Sequence, residues 1–173
     1  MVPGPRTRRP YDRAVLTAAE HLMRFSVDDQ LAIVGRAGLG ALCGLVIGLE
    51  RQLANKVVGL RTHMLVAASA ALATGMGELL FLDTGDSGDP TRVMHAIITG
   101  IGFIGAGAIF RSESRARGLT TAATLFTAAI LGCICGLGAP VLAGLSTVAA
   151  VISLRVLLKV EEQTKLKYQH TED

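Results

Sequence analysis

Charge in this chain is confined to short segments, separated by stretches that hold almost none. Residues 31–50 contain only Arg36 and Glu50, 62–82 only Glu78, and 139–158 only Arg155; 93–110 and 119–137 contain no charged residue at all. A helix needs about 20 predominantly apolar residues to cross the hydrocarbon layer of a bilayer, and each stretch has that length. The pattern predicts an all-α polytopic membrane protein, a compact bundle of five transmembrane helices over 31–50, 62–82, 93–110, 119–137 and 139–158.

Composition agrees and removes other classes. Hydrophobic residues make up 50% of the 173 and charged residues 18%, with 20 Gly and no Trp. A soluble domain usually carries about a quarter charged residues. Disordered chains, disulfide scaffolds and ordinary soluble enzymes are excluded. The net charge of +3 does not argue for nucleic acid, because the basic residues flank apolar stretches and there report membrane orientation. Cys43, Cys133 and Cys135 all lie inside apolar stretches and read as small buried residues. A Cys-x-Cys pair without a second pair or a nearby His does not make a zinc site. No metal or cofactor is expected.

Three regions follow. Residues 1–30 form an Arg- and Pro-rich arm with a possible amphipathic surface helix over 14–25 and no cleavable signal pattern. Ser26, with Asp28 and Asp29 behind it, reads as the N-cap of the first span. Residues 31–158 form the membrane domain, and 159–173 a short polar tail. Short loops make sequential spans antiparallel neighbours. One side then carries Arg51, Lys56, Arg61, Arg111, Arg115, Arg117 and the tail lysines; the other carries Arg92 and the arginines of the arm, most of them far from the first span. The positive-inside rule places the amino terminus outside and the tail in the cytoplasm of a bacterial inner membrane.

Glycine spacing predicts where helices touch. Gly40, Gly44 and Gly48 form a stripe along the first span, the arrangement that lets membrane helices approach closely. On the third, Gly100 and Gly107 share one face and Gly102 and Gly105 the opposite one, which predicts a helix seated between two neighbours. Gly100 to Gly105 spells a dinucleotide-binding GxGxxG string, but that fingerprint needs a strand before it, and here it sits within one apolar run.

Polar residues also form stripes: His63, Thr74 and Glu78 on the second span, Arg92, His95 and Thr99 on the third, Thr120, Thr124 and Thr127 on the fourth. They serve as interhelical hydrogen-bond contacts or line a hydrated cavity between spans two, three and four. Arg36 and Glu78 reach similar depth from one face at 1.5 Å per residue, and are expected to form an intramembrane ion pair. Arg155, near the inner end, snorkels. Two clusters remain. The cytoplasmic one is Glu50, Arg51, Arg61, Thr62, His63, Arg111, Thr120, Thr121 and Thr124; the periplasmic one is Asp89, Arg92 and His95. Asp89-Pro90 also reads as an N-cap followed by a first-turn proline.

Gly48-Leu-Glu-Arg51, Gly59-Leu-Arg-Thr-His63, Asp89-Pro-Thr-Arg92, Gly100-Ile-Gly-Phe-Ile-Gly-Ala-Gly107 and Gly118-Leu-Thr-Thr-Ala-Ala-Thr124 occur in this order. Together they resemble the motifs of the MgtC/SapB membrane proteins of bacteria over roughly residues 35–158. Phe126 stands near the position where that family commonly has Trp. Longer members continue into a soluble carboxy-terminal domain, and this chain is expected to correspond to the transmembrane domain without it. The resemblance implies an inner-membrane protein linked to growth in low magnesium and, in pathogens, to survival in host cells. It implies an accessory or regulatory role, with the proton-driven ATP synthase as one partner.

The expectation is therefore a non-enzymatic regulator in magnesium homeostasis and in stress or virulence adaptation, with no catalytic residues. It would act through helix contacts with itself, as a homo-oligomer with a dimer favoured, or with another membrane protein. The alternative is a small Mg²⁺, cation or solute transporter, suggested by the polar stripes and the acidic segment Asp83, Asp86, Asp89. No span carries a carboxylate at mid-depth.

Overall fold

The computed structural model describes residues 25–84, 91–112 and 115–169. The amino-terminal arm with its proposed surface helix, the segment holding Asp86 and Asp89, and the last residues lie outside this set. Among the described residues there are five helices: α1 (Val27–Leu53), α2 (Leu60–Thr84), α3 (Arg92–Gly107), α4 (Leu119–Gly136) and α5 (Pro140–Gln169). Between α3 and α4 runs a short antiparallel hairpin of β1 (Phe110–Ser112) and β2 (Arg115–Arg117).

Local chemistry sets the helix ends. Ser26 caps α1 in a reciprocal box: its hydroxyl accepts from the Asp29 amide at 3.1 Å, and the Asp29 carboxylate accepts from the Ser26 amide at 3.2 Å. After α1 the chain turns at Asn55, whose φ of 52° falls where Asn is tolerated better than most residues. Gly138 turns the chain between α4 and α5 at φ 75°, and Pro140 opens α5 where its missing N–H costs nothing.

Helices α1, α2, α4 and α5 are long and apolar enough to cross a membrane. The third departs from the expected 93–110 span. It ends at Gly107 after 16 residues, about 24 Å at 1.5 Å per residue, against ~30 Å of hydrocarbon. Phe110 enters the hairpin instead, and pairing with Arg117 satisfies backbone groups that the helix no longer serves. Its N-cap is Thr91 rather than Asp89, with the first helical bond running from His95 N to Thr91 O. At the other end of the chain, α5 runs on to Gln169, well past the expected boundary at 158.

Packing centres on α2, held between α1 and α4. A Cβ on Gly44 would lie 2.3 Å from His63 O, and one on Gly132 only 2.2 Å from Ala67 O. The backbones themselves are in contact, on both sides of α2. Around this seam are Ala67, Ala71 and Ala128, fully buried, with Leu125 and Cys133. Helix α3 lies mainly on α4, through Ile101 and Gly105. Helix α5 covers α1 and α4, burying Ala143 and Thr147. The outer surface carries Leu31, Leu65, Phe103, Leu145 and Leu157, all more than 60% exposed, which suits hydrocarbon and not water. The fold is an all-α membrane bundle.

Candidate functional site

The ionisable and polar side chains gather at two ends of the bundle. The end carrying the α1–α2 loop and the hairpin is basic, and its centre is Arg51. Arg51 is fully buried and Glu50 is 5% exposed, although they stand at the last turn of α1. Arg51 Nε donates to Glu50 Oε2 at 2.5 Å, and Nη2 makes an ion-pair contact with the same oxygen. Neither Nη has a hydrogen-bond partner among the described residues.

His63 lies beside this pair, also fully buried. Its position follows from Gly44 and Gly48, which let the first turn of α2 close onto α1: a Cβ on Gly48 would lie 2.6 Å from Leu60 Cα. Nδ1 is 2.8 Å from Gly59 O, and since a carbonyl only accepts, Nδ1 is the donor. Nε2 of the neutral ring then accepts from the Thr124 hydroxyl at 3.0 Å. The same hydroxyl lies 2.9 Å from Thr121 O, an alternative acceptor in its own helix. Helix α4 thereby brings buried Thr121 and Thr124 to α2.

The remaining members of the expected cytoplasmic cluster do not join this centre. Arg61 and Thr62 are exposed on the opposite side of the first turn of α2. Thr120 is exposed and lines an open cavity of about 670 Å³ with Arg51 and Thr121. Arg111 stands in β1 opposite Ala116, its side chain outside the described set.

At the far end, Arg36 Nη1 donates to Glu78 Oε2 at 2.5 Å and to Gly136 O at 2.8 Å. Both charged side chains are about one-third exposed. The guanidinium also lies over Gly138, whose Cβ would fall 3.1 Å from Nη2. One arginine thus joins α1, α2 and the end of α4. On α3, Arg92 and His95 are exposed and His95 Nδ1 donates to Thr91 O at 2.9 Å, within its own helix. Asp89 lies outside the described residues. Arg155 is exposed on α5.

The threonine stripes settle mostly within their own helices: Thr99 donates to His95 O and Thr127 to Ala123 O, both at 2.9 Å. These bonds within single helices replace the interhelical contacts expected of these two threonines, and the alternative, a hydrated cavity between spans two, three and four, has no counterpart among the described residues. The cavity of about 380 Å³ between α2 and α3 is lined by apolar residues such as Val66, Ile97 and Ile101. Thr120, Thr124 and Thr127 line instead a small cavity of about 180 Å³ toward Ile47 of α1 and Ser153 of α5.

The glycine expectations divide. Gly40, Gly44 and Gly48 all meet α2 or the residues leading into it. On α3 only Gly105 meets a neighbour, Ala122 of α4; Gly100, Gly102 and Gly107 have nothing within 4 Å among the described residues. Helix α3 packs on α4 and more lightly on α2, and its outer face meets nothing among the described residues, so the seat between neighbours on opposite faces is not seen there. Two glycines of α4 that the sequence reading does not single out, Gly132 and Gly136, meet α2 at Ala67 and Ala71 and are spaced four apart like the α1 stripe. Gly118, which opens the last motif, and Gly138, at the turn before Pro140, carry positive φ.

Apolar helices locked by glycine contacts, with ionisable groups drawn to the two ends, define a polytopic helical membrane protein. This chain belongs to the MgtC family, whose model matches residues 38–163. It is 45% identical over 118 residues to Protein MgtC of Brucella abortus strain 2308, covering 68% of this chain and 48% of that protein. It is likewise 45% identical over 97 residues to Protein MgtC of Salmonella typhimurium strain LT2, covering 56% and 40%. The chain therefore spans about half the length of the curated relatives it matches. No solved structure matches it.

Proposed function

We propose that this membrane protein is a non-enzymatic regulator or accessory factor of the bacterial inner membrane, acting in magnesium homeostasis and in stress or virulence adaptation. The amino terminus lies outside and α5 ends in the cytoplasm, so that the basic end meets the cytoplasmic leaflet. It works through helix contacts, with a second copy of itself or with another membrane protein such as the ATP synthase.

The observation that carries this reading over transport is the seam at mid-depth. Gly44 and Gly132 press backbone against backbone on either side of α2, and Ala67, Ala71 and Ala128 fill the space between the two polar ends. An ion crossing there would shed its hydration without a polar group to replace it. The free face of α3 supports the contact reading: Gly102 has nothing within 4 Å among the described residues and Phe103 beside it is 85% exposed. Small residues beside a protruding aromatic ring fit a second helix, and a homodimer is the favoured arrangement.

Two measurements test this. Sedimentation of the purified protein in detergent should show a dimer, weakened by Gly102→Leu with the far-ultraviolet helix signal unchanged. Magnesium flux in proteoliposomes should stay at the level of empty vesicles. Flux that Glu78→Gln abolishes would overturn the regulatory reading and establish the transporter.

A further inference from the structure

Arg51 poses a problem that its ion pair with Glu50 does not solve. It is fully buried, its Nη1 has no hydrogen-bond partner among the described residues, and it lines the open cavity of about 670 Å³ at the basic end. A buried guanidinium with an idle donor is costly, and such a group calls for an occupant. The cavity also receives the start of α4. Gly118 caps that helix without a side chain, at φ 90°. The first intrahelical bond there is Ala122 N to Gly118 O at 2.9 Å, so the amides of Leu119, Thr120 and Thr121 have no partner within the helix. Uncapped amides at the start of an 18-residue helix attract anions.

The rim has the same sign. Lys56 and Arg117 line the cavity and are exposed, and among the described residues no carboxylate lines it. Glu50 already serves Arg51 Nε. On the α5 side the wall is Leu154, Leu157 and Leu158, and Leu157 is 65% exposed on the surface that faces hydrocarbon. A cationic floor beneath an apolar, membrane-facing wall suits an amphiphile whose head is an anion.

We infer that this cavity binds a phosphate group, with Arg51 Nη1 and the first amides of α4 as its donors and Lys56 and Arg117 at its rim. The leucine wall makes the source an anionic phospholipid, headgroup inward and acyl chains along α5. Basic pockets between helices at a membrane face hold such headgroups. The inference goes beyond the regulatory reading and does not depend on it.

The test uses the full chain in a neutral detergent, titrated with phosphatidylglycerol, with phosphatidylcholine of the same acyl chains, or with inorganic phosphate, and read by native mass spectrometry. Phosphatidylglycerol should bind about tenfold more tightly than phosphatidylcholine. The double variant Lys56→Gln/Arg117→Gln should lose most of that preference. Both side chains are exposed, so the variant keeps the fold. Arg51→Gln should abolish the preference; where it fails to fold, the rim variant decides. Arg61→Gln, exposed at the same end but outside the cavity, should bind as the parent does. Equal loss in Arg61→Gln and the rim variant would reduce the effect to general surface charge and overturn the site. Saturable inorganic phosphate binding that needs Lys56 and Arg117, without a lipid preference, would overturn the lipid as source. Equal binding of both lipids and no phosphate binding would overturn the proposal altogether.

Discussion

Arg36, near the start of α1, donates to the carbonyl of Gly136, the last residue of α4, at 2.8 Å. A cation there meets the negative end of the α4 dipole, while the same Nη1 holds Glu78 of α2. The ion pair is therefore only part of what Arg36 does. Arg36→Met should cost about 1.5–3 kcal/mol, the range for hydrogen bonds to charged groups. Glu78→Gln keeps an acceptor and, at a one-third exposed site, should cost under about 1 kcal/mol. In the double variant, Glu78→Gln should suppress only part of the Arg36→Met defect, because the Gly136 carbonyl stays unserved. Denaturant titration in detergent micelles checks this; complete suppression would assign the whole effect to the pair.

Glycines at a helix contact and glycines in open space should respond oppositely to alanine. Gly44→Ala would drive a methyl to 2.3 Å from His63 O, and Gly132→Ala to 2.2 Å from Ala67 O; Gly35 and Gly38 have nothing within 4 Å. The first two should lose roughly 2 kcal/mol or more through overpacking against backbone. Gly35→Ala and Gly38→Ala should gain up to about 1 kcal/mol from helix propensity. Thermal unfolding followed by circular dichroism separates the pairs, and equal destabilisation by all four would show that helix contact is not what those glycines provide.

The sequence exposed some of this and concealed the rest for identifiable reasons. The apolar runs marked the helices because lipid demands length and apolarity from each span independently. The Arg36–Glu78 proximity was visible because depth is set by rise per residue. The end of α3 at Gly107 was not, since Ala108, Ile109 and Phe110 are as apolar as the helix before them and only hairpin pairing stops it. The exposure of Arg61 and Thr62 beside fully buried His63 was equally hidden. That outcome depends on how far α2 rotates as it closes on Gly44 and Gly48. Arg51 was legible as basic and near a span end, while its burial with idle donors came only from how the α1–α2 turn and α4 enclose it.

The two positive-φ glycines at turns separate backbone conformation from space. A Cβ on Gly118 would lie 2.0 Å from Ala108 O, whereas one on Gly138 meets only the Arg36 guanidinium, at 3.1 Å. Asn tolerates the left-handed region, so Gly138→Asn should stay within about 1 kcal/mol of the parent. Gly118→Asn should be as damaging as Gly118→Ala, at roughly 2 kcal/mol or more, because a rigid carbonyl and not the dihedral is the obstacle. Rescue of Gly118→Ala by Asn, seen as a recovered unfolding midpoint, would contradict that assignment.

His63 and Thr124 share one hydrogen bond, but their losses should differ. Thr124→Val removes the hydroxyl that serves Nε2, yet leaves Nδ1 bonded to Gly59 O and the ring in place. Its cost should be about 0.6–1 kcal/mol, as for single interhelical bonds in membranes. His63→Ala empties a fully buried site between α1, α2 and α4, leaves Gly59 O only the residue's own backbone N–H as donor, and should cost about 3 kcal/mol or more. Thr124 keeps Thr121 O as its acceptor after that change, so Thr124→Val should add almost nothing in the His63→Ala background. A double-mutant cycle measured by unfolding in one detergent checks this. An undiminished Thr124→Val effect without the ring would mean that the hydroxyl works through α4 alone.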